Sequence, residues 1–200
     1  MKIIVIGATG TIGKAVVAAL SPRHEVISAS RNGTHKADLQ DTASLEALLK
    51  AVGPVDAIVS AAGGAAYKPL ADLTPADFQM SFDYKLMGQI NLARLAPAHL
   101  RDNGSITLTA GWWAREPVPN VAAIATVNAG LEGFTRAAAI ELPRGIRINL
   151  VSPPLVGAPE WNGDKVARMT PEDTAKGYLE AIEGTATGQV IDTRPYAKAA

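Results

Sequence analysis

The apolar positions of this chain follow two alternating rhythms. Short unbroken runs rich in β-branched residues, the pattern of strands buried on both faces, alternate with segments whose apolar residues recur every three or four positions. Ile3 to Ile6 is the first run, and a helix follows from about Thr11 to Leu20, ended by Ser21-Pro22. Glu25 to Ala29 predicts strand two, and a short third strand or extended piece closes at Asp38-Leu39. Asp41 or Thr42 caps a helix running to about Ala51, with Leu45, Leu48 and Leu49 on one face, and Gly53-Pro54 breaks it. Val55 to Ser60 predicts strand four. Thr74 as N-cap and Pro75 at the first helical position open a helical stretch to about Leu100, broken near Lys85 or Pro97. Ser105 to Thr109 reads as strand five, Asn120 to Leu142 as a long Ala-rich helix and Arg147 to Val151 as strand six. Pro171 to Glu183 is the last helix and Gln189 to Asp192 the last strand.

Strands alternating with helices of this length predict βαβ units and a parallel sheet. Right-handed crossovers then give an α/β fold. It is a three-layer, doubly wound parallel sheet, Rossmann-like, of about seven strands with helices on both faces. One such domain accounts for residues 1–200. Ligands of such sheets sit outside the carboxyl ends of the strands. That rule nominates the loops at Gly7–Gly13, Ser30–Asn32, Ala61–Tyr67, Ala110–Glu116 and Pro153–Glu160. The short stretch from about 153 to 170 reads as the substrate loop.

Of these loops the first carries the clearest chemistry. Gly7, Gly10 and Gly13 follow the first strand at three-residue spacing and lead into helix. Glycines let backbone approach a pyrophosphate, and a helix N-terminus offers free N–H groups and partial positive charge. Strand two ends in Ser30-Arg31-Asn32, where an NAD site usually carries an acid for the ribose 2′-hydroxyl. A hydroxyl beside a guanidinium suits a 2′-phosphate, so NADP(H) is favoured over NAD(H).

Composition narrows the function classes. Lys+Arg and Asp+Glu both number 19, with no basic stripe or tail, which argues against nucleic acid or an anionic membrane as partner. The chain has no cysteine, so thiolate nucleophiles, disulfides and Cys-based metal sites are excluded. His24, His35 and His99 are scattered, and no metal site is expected. Met1 runs straight into the first strand and no apolar run reaches membrane length, so a cytoplasmic protein without signal peptide is expected.

The chain resembles the short-chain dehydrogenase/reductase family over nearly its whole length. Gly7-Ala-Thr-Gly-Thr-Ile-Gly13 resembles that family's GxxGxxG turn, and Asp38-Leu39 its Asp-aliphatic pair at the adenine. Ser60-Ala-Ala-Gly63 matches the family's Asn-Asn-Ala-Gly segment at its last two positions. Gly104-Ser-Ile-Thr-Leu-Thr109 is similar to its fifth strand, and Arg147-Ile-Asn-Leu-Val-Ser-Pro-Pro154 to its sixth, with Pro154 where Gly is usual. Thr187-Gly-Gln-Val190 resembles the closing strand. The resemblance implies that backbone near Val156 meets the nicotinamide amide. Together these features make the expected cofactor set Gly7, Thr9, Gly10, Thr11, Ile12, Gly13, Ser30, Arg31, Asn32, Asp38, Leu39, Ala61, Ala62, Gly63, Pro153 and Val156.

The family's Asn-Ser-Tyr-Lys tetrad, by contrast, is gone. Laid on this sequence, Ser falls on Gly111, Tyr on Ile124, Lys on Asn128 and the helical Asn on Lys85. Lys and Asn have changed places on two helices that the resemblance packs together, so Lys85 and Asn128 become the candidate catalytic pair. A desolvated lysine has a lowered pKa and can serve as acid or base. Tyr67, after the Gly63-Gly64 loop, and Thr109, at the end of strand five, are further candidates. Tyr84 is expected in core or dimer packing. Of Trp112 and Trp113, one is expected to wall an apolar pocket and the other to pack at a subunit contact, with Arg115 and Glu116 as rim charges. Small residues along the long helix, Ala122, Ala123, Ala125, Ala129 and Gly130, predict a homodimer or homotetramer. Three functions remain open. The first is an NADP(H)-dependent oxidoreductase acting on a small carbonyl, alcohol or enone with a non-standard proton donor. The second is an inactive NADP-binding sensor or partner-binding protein. The third is a non-redox isomerase, lyase or cyclase on the same fold.

Overall fold

The computed structural model describes residues 1–157 and 168–197. Its sheet is built from β1 (Lys2–Ile6), β2 (Glu25–Ser30), β3 (His35–Lys36), β4 (Val55–Ser60), β5 (Leu100–Thr109), β6 (Arg147–Ser152) and β9 (Val190–Asp192). All seven run parallel in the order β3-β2-β1-β4-β5-β6-β9. The chain reverses its winding between β1 and β4, and that switch point opens a crevice at the strands' carboxyl ends. Two-residue strands β7 (Leu155–Val156) and β8 (Arg168–Met169) pair beside it.

Helices cover both faces. On one side α1 (Thr11–Leu20) and α6 (Pro171–Glu183) pack together over Ile3, Val5, Ala57, Val59 and Val151, with Tyr178 fully buried. On the other lie α2 (Thr42–Val52), α4 (Gly88–Leu95) and α5 (Ala122–Glu141), whose Leu45, Leu49, Leu92 and Leu131 bury against Ile4, Ile58, Ile106 and Leu150. Successive strand residues point to opposite faces, which is why runs such as Ile3 to Ile6 are apolar without a break.

Helix starts follow local chemistry. Asp41 caps α2 by accepting from Ala43 N–H at 3.0 Å. α3 (Pro75–Ser81) opens with a reciprocal box: Thr74 Oγ1 accepts from Asp77 N–H, and Asp77 accepts from Thr74 N–H. Thr170 caps α6 with Pro171 in its first turn.

Several boundaries depart from the sequence expectation. The expected helix to Leu100 ends as α4 at Leu95, and one π turn, Phe82–Met87, separates α3 from α4. β5 starts at Leu100 rather than Ser105, its first part held by Leu100 opposite Val55 before a register shift. α5 starts at Ala122 because Asn120 takes the left-handed conformation, φ 71°, that no helix continues through. The third strand is His35–Lys36, with Asp38-Leu39 just beyond it. The outer part of the expected 153–170 loop lies outside the described residues.

Candidate active site

Two clefts meet at Ala61, Ala62 and Gly63, the loop that leaves β4. The first, about 240 Å³, is bordered by Gly7, Thr9, Gly10, Ser30, Arg31, Asp38, Leu39 and Tyr84. The second, about 270 Å³, is bordered by Thr11, Ile12, Tyr67, Lys85, Thr109, Gly111, Trp113, Ile124, Asn128, Pro153 and Val156. The expected cofactor residues thus line one continuous trough, apart from Gly13 and Asn32. Gly13 acts from beneath it: a Cβ there would lie 2.0 Å from Gly7 O, so only glycine lets α1 start against the β1 turn. Gly7, at φ +84°, lies close to the next loop, and a Cβ on it would meet Ala61 O at 2.7 Å.

These features fit a dinucleotide. The glycine turn is a cradle that side chains would fill. Arg31 is exposed and makes no side-chain bond among the described residues, which leaves its guanidinium free beside buried Ser30. Asp38 Oδ1 accepts from Gln40 N–H at 3.0 Å and holds the loop under the cleft. At the far end, Asn128 is 1% exposed, and its Oδ1 has no hydrogen-bond partner among the described residues. A buried acceptor left open costs free energy until a donor reaches it, and a ribose hydroxyl is such a donor.

Lys85 and Asn128 both border the second cleft. Lys85 Nζ donates to Ala110 O at 3.2 Å, and Asn128 Nδ2 donates to Gly111 O at 3.2 Å, so both stand at the carboxyl end of β5. The Lys85 stem passes over Gly63, where a Cβ would lie 3.1 Å from Lys85 Cγ. Burial lowers the Lys85 pKa to about 8, because the amine loses water without gaining an ionic partner. Its tip still borders the open cavity.

The remaining candidates divide. Tyr67 and Trp113 meet edge to face across the cavity mouth, ring centroids 5.8 Å apart, and burial raises the Tyr67 phenol pKa. Trp113 packs with Val121, Ile124 and Val127 into one apolar wall. Thr109 borders the cavity, but its hydroxyl is engaged inside the protein. It donates to Ser60 O at 2.5 Å and lies 2.6 Å from the buried Tyr178 hydroxyl. Trp112 packs under Arg194, guanidinium carbon 4.0 Å from the ring centroid. Arg115 and Glu116 do lie in ion pairs, with Glu132 at 3.1 Å and Arg194 at 3.3 Å. Tyr84 joins the core as expected, yet it also borders the first cleft with its ring against Gly64. Gln89, wholly buried behind Lys85, was not signalled by any motif.

Comparison with known proteins agrees with this geometry. The family model described as enoyl-(acyl carrier protein) reductase matches residues 7–186. Hydroxynaphthalene reductase arp2 of Aspergillus fumigatus is 32% identical over 153 residues, 74% of this chain and 56% of that protein. The chain therefore spans little more than half the length of that curated relative. The short-chain dehydrogenase/reductase ATR9 of Stachybotrys chlorohalonatus is 30% identical over 92% of this chain and 81% of its own. Among solved structures, the protein lin1944 from Listeria innocua superposes with a TM-score of 0.91 at 38% identity, covering 96% of this chain and 98% of that one. A small-chain dehydrogenase in complex with NADPH superposes at 0.85 and 30% identity, over 96% and 95%. The sheet order, the glycine turn and these matches together place the chain in the short-chain dehydrogenase/reductase family.

Proposed function

We propose that this chain is an NADPH-dependent reductase of a small conjugated or aromatic carbonyl compound, with Lys85 as its proton donor. The observation that carries the reading is the position of Lys85 Nζ, at the end of β5 beside Asn128 and on the cavity that continues the glycine-turn cleft. Gly7, Gly10 and Gly13 would seat the pyrophosphate, Arg31 and Ser30 an adenosine 2′-phosphate, and Asn128 Oδ1 a ribose hydroxyl. The bound nicotinamide supplies the hydride in this family. The protein's own part is to hold the carbonyl and complete the proton balance. One hydride and one proton turn a ketone into an alcohol, or an enone into an enol that tautomerises in water to the saturated ketone. The Lys85 ammonium gives its proton to the substrate oxygen as negative charge develops there. The freed amine takes a new proton from water at the cavity mouth. Trp113, Tyr67, Ile124 and Leu155 supply an apolar wall suited to a flat ring. The names of the relatives, hydroxynaphthalene reductases among them, support an aromatic substrate.

A homodimer or homotetramer is part of the same reading. Along α5 the residues Ala129, Gly133, Ala137 and Ile140 are exposed and recur at helical spacing, with Ile140 at 87% exposure.

The test is NADPH oxidation against a panel of aromatic ketones, enones and quinones. Lys85→Met should lower kcat by about 10²–10⁴-fold, the range of a lost general acid. Turnover of the unaltered protein should fall as pH rises through about 8, because the ammonium is the donor. Full turnover in Lys85→Met removes Lys85 from the chemistry. Tight NADPH binding with no consumption across the panel would instead make the protein a nucleotide sensor.

A further inference from the structure

We infer that Gln89 is the positioning residue of this site: its buried carboxamide clamps the turn that carries Lys85 to the last residue of β5. The inference rests on the role given above to Lys85.

The clamp has three hydrogen bonds. Gln89 Oε1 accepts from Thr109 N–H at 2.8 Å. Gln89 Nε2 donates to Thr109 O at 2.9 Å and to Lys85 O at 3.1 Å. The first two reproduce what a neighbouring strand would offer. β4 pairs with β5 only as far as Val59 opposite Thr107, so Thr109 lies past the end of its strand partner. A side-chain amide takes the partner's place, and its dipoles match those of the backbone. The third bond reaches the backbone of Lys85. In the π turn Gly88 N–H bonds Asp83 O, five residues back, and the Lys85 carbonyl takes the side-chain bond from Gln89.

One amide therefore touches both ends of the path that fixes the amine. Its Lys85 bond sets where the side chain begins. Its Thr109 bonds set the strand end whose next residue, Ala110, accepts from Lys85 Nζ. Single-turn π insertions recur at functional sites, and this one presents a side chain that borders the cavity, as Asn128 does. Gln89 is 0% exposed and does not border the cavity, so its effect on chemistry must pass through the groups it holds, Lys85 and the end of β5.

The fold does not depend on the clamp alone. Gly88 lies against Leu39, Gly130 against Leu86, and Leu92 is buried in the core, so the helix stays docked without it. The variants are Gln89→Met, similar in length without hydrogen-bonding groups, and Gln89→Asn, too short to span Thr109 and Lys85. NADPH binding and cooperative melting report the fold. The ionisation of Lys85 is read without turnover, from the pH dependence of its acetylation by acetic anhydride, followed by mass spectrometry. Tyr67 is the one other titratable side chain bordering the cavity among the described residues, and its labelling is followed alongside.

Both variants should bind NADPH within about twofold of the unaltered protein and lower kcat by roughly 10- to 100-fold, the scale of a small misplacement of a reacting group. KM should change little. The Lys85 labelling curve should move to higher pH as the loosened turn lets the amine reach water. An unmoved labelling curve with kcat within about twofold overturns the inference. If one variant does not fold, the other decides. If Lys85→Met keeps full turnover, the role of Lys85 fails, and the labelling curve alone then decides whether Gln89 positions it.

Discussion

A serine at position 111, as the family has it, would place its Cβ 3.0 Å from Asn128 Nδ2. Gly111 is what lets the Asn128 amide reach the strand end and donate to Gly111 O. The two replacements are one adjustment: a short residue makes room for a side chain that lies across it. Ile124, where the resemblance would place the family's tyrosine, forms part of the wall with Trp113 and Val127. Placing a serine at position 111, where the resemblance expects one, should therefore harm the protein. Gly111→Ser should cost about 1–3 kcal/mol, the range for forcing extra volume into a packed site. It should also weaken NADPH binding by displacing Asn128. Thermal melting and calorimetric titration check both. Unchanged values would show that Asn128 has room to move aside.

Whole elements are secured by their ends. The box at Thr74 starts the only helical run that carries Lys85, so a loose start is felt in the site. Thr74→Ala should cost about 1 kcal/mol, read as a lower Tm. Asp77 has its pKa held down to about 2 by hydrogen bonds from Lys68 and Thr74. A lowered carboxylate stabilises the fold above its unfolded pKa, and that contribution disappears as pH falls towards about 2. This cap was legible in the sequence, because Thr-Pro before an apolar run is a local signal. So were the strands with unbroken β-branched runs such as Ile3 to Ile6, all of it buried. The π turn was not legible: one inserted residue shifts the helical phase without changing residue types, and the reading reached only as far as a break near Lys85. The early start of β5 was hidden for a related reason. Arg101, Asp102 and Asn103 are exposed and polar, and the bridge at Leu100 and the bond from Asn103 N–H to Arg144 O draw them into the strand. The candidate pair Lys85 and Asn128 was visible only against the family's pattern. Gln89 had no pattern to betray it, since its partners are backbone groups distant in sequence.

At the scale of the molecule, the two clefts lie on opposite sides of the switch point, and a dinucleotide along the trough would touch both halves of the sheet. The β1 turn, the end of β2, the loop after β4 and the end of β6 would each contribute. Binding therefore adds its free energy to the whole cooperative unit rather than to one loop. With NADPH at about 100 times its Kd the gain is about 2.7 kcal/mol. In a domain of this size that raises Tm by roughly 5–10 °C. On the proposed reading NADH at the same concentration should raise it less, because only the 2′-phosphate of NADPH would engage the Arg31 guanidinium beside Ser30. Arg31→Ala removes a charge-assisted contact worth about 1.5–3 kcal/mol. The NADPH shift should then shrink to that of NADH, while the NADH shift stays as it was. Equal losses for both nucleotides would mean that Arg31 serves the adenosine half in general, and the preference for a 2′-phosphate would have to be sought elsewhere in the chain.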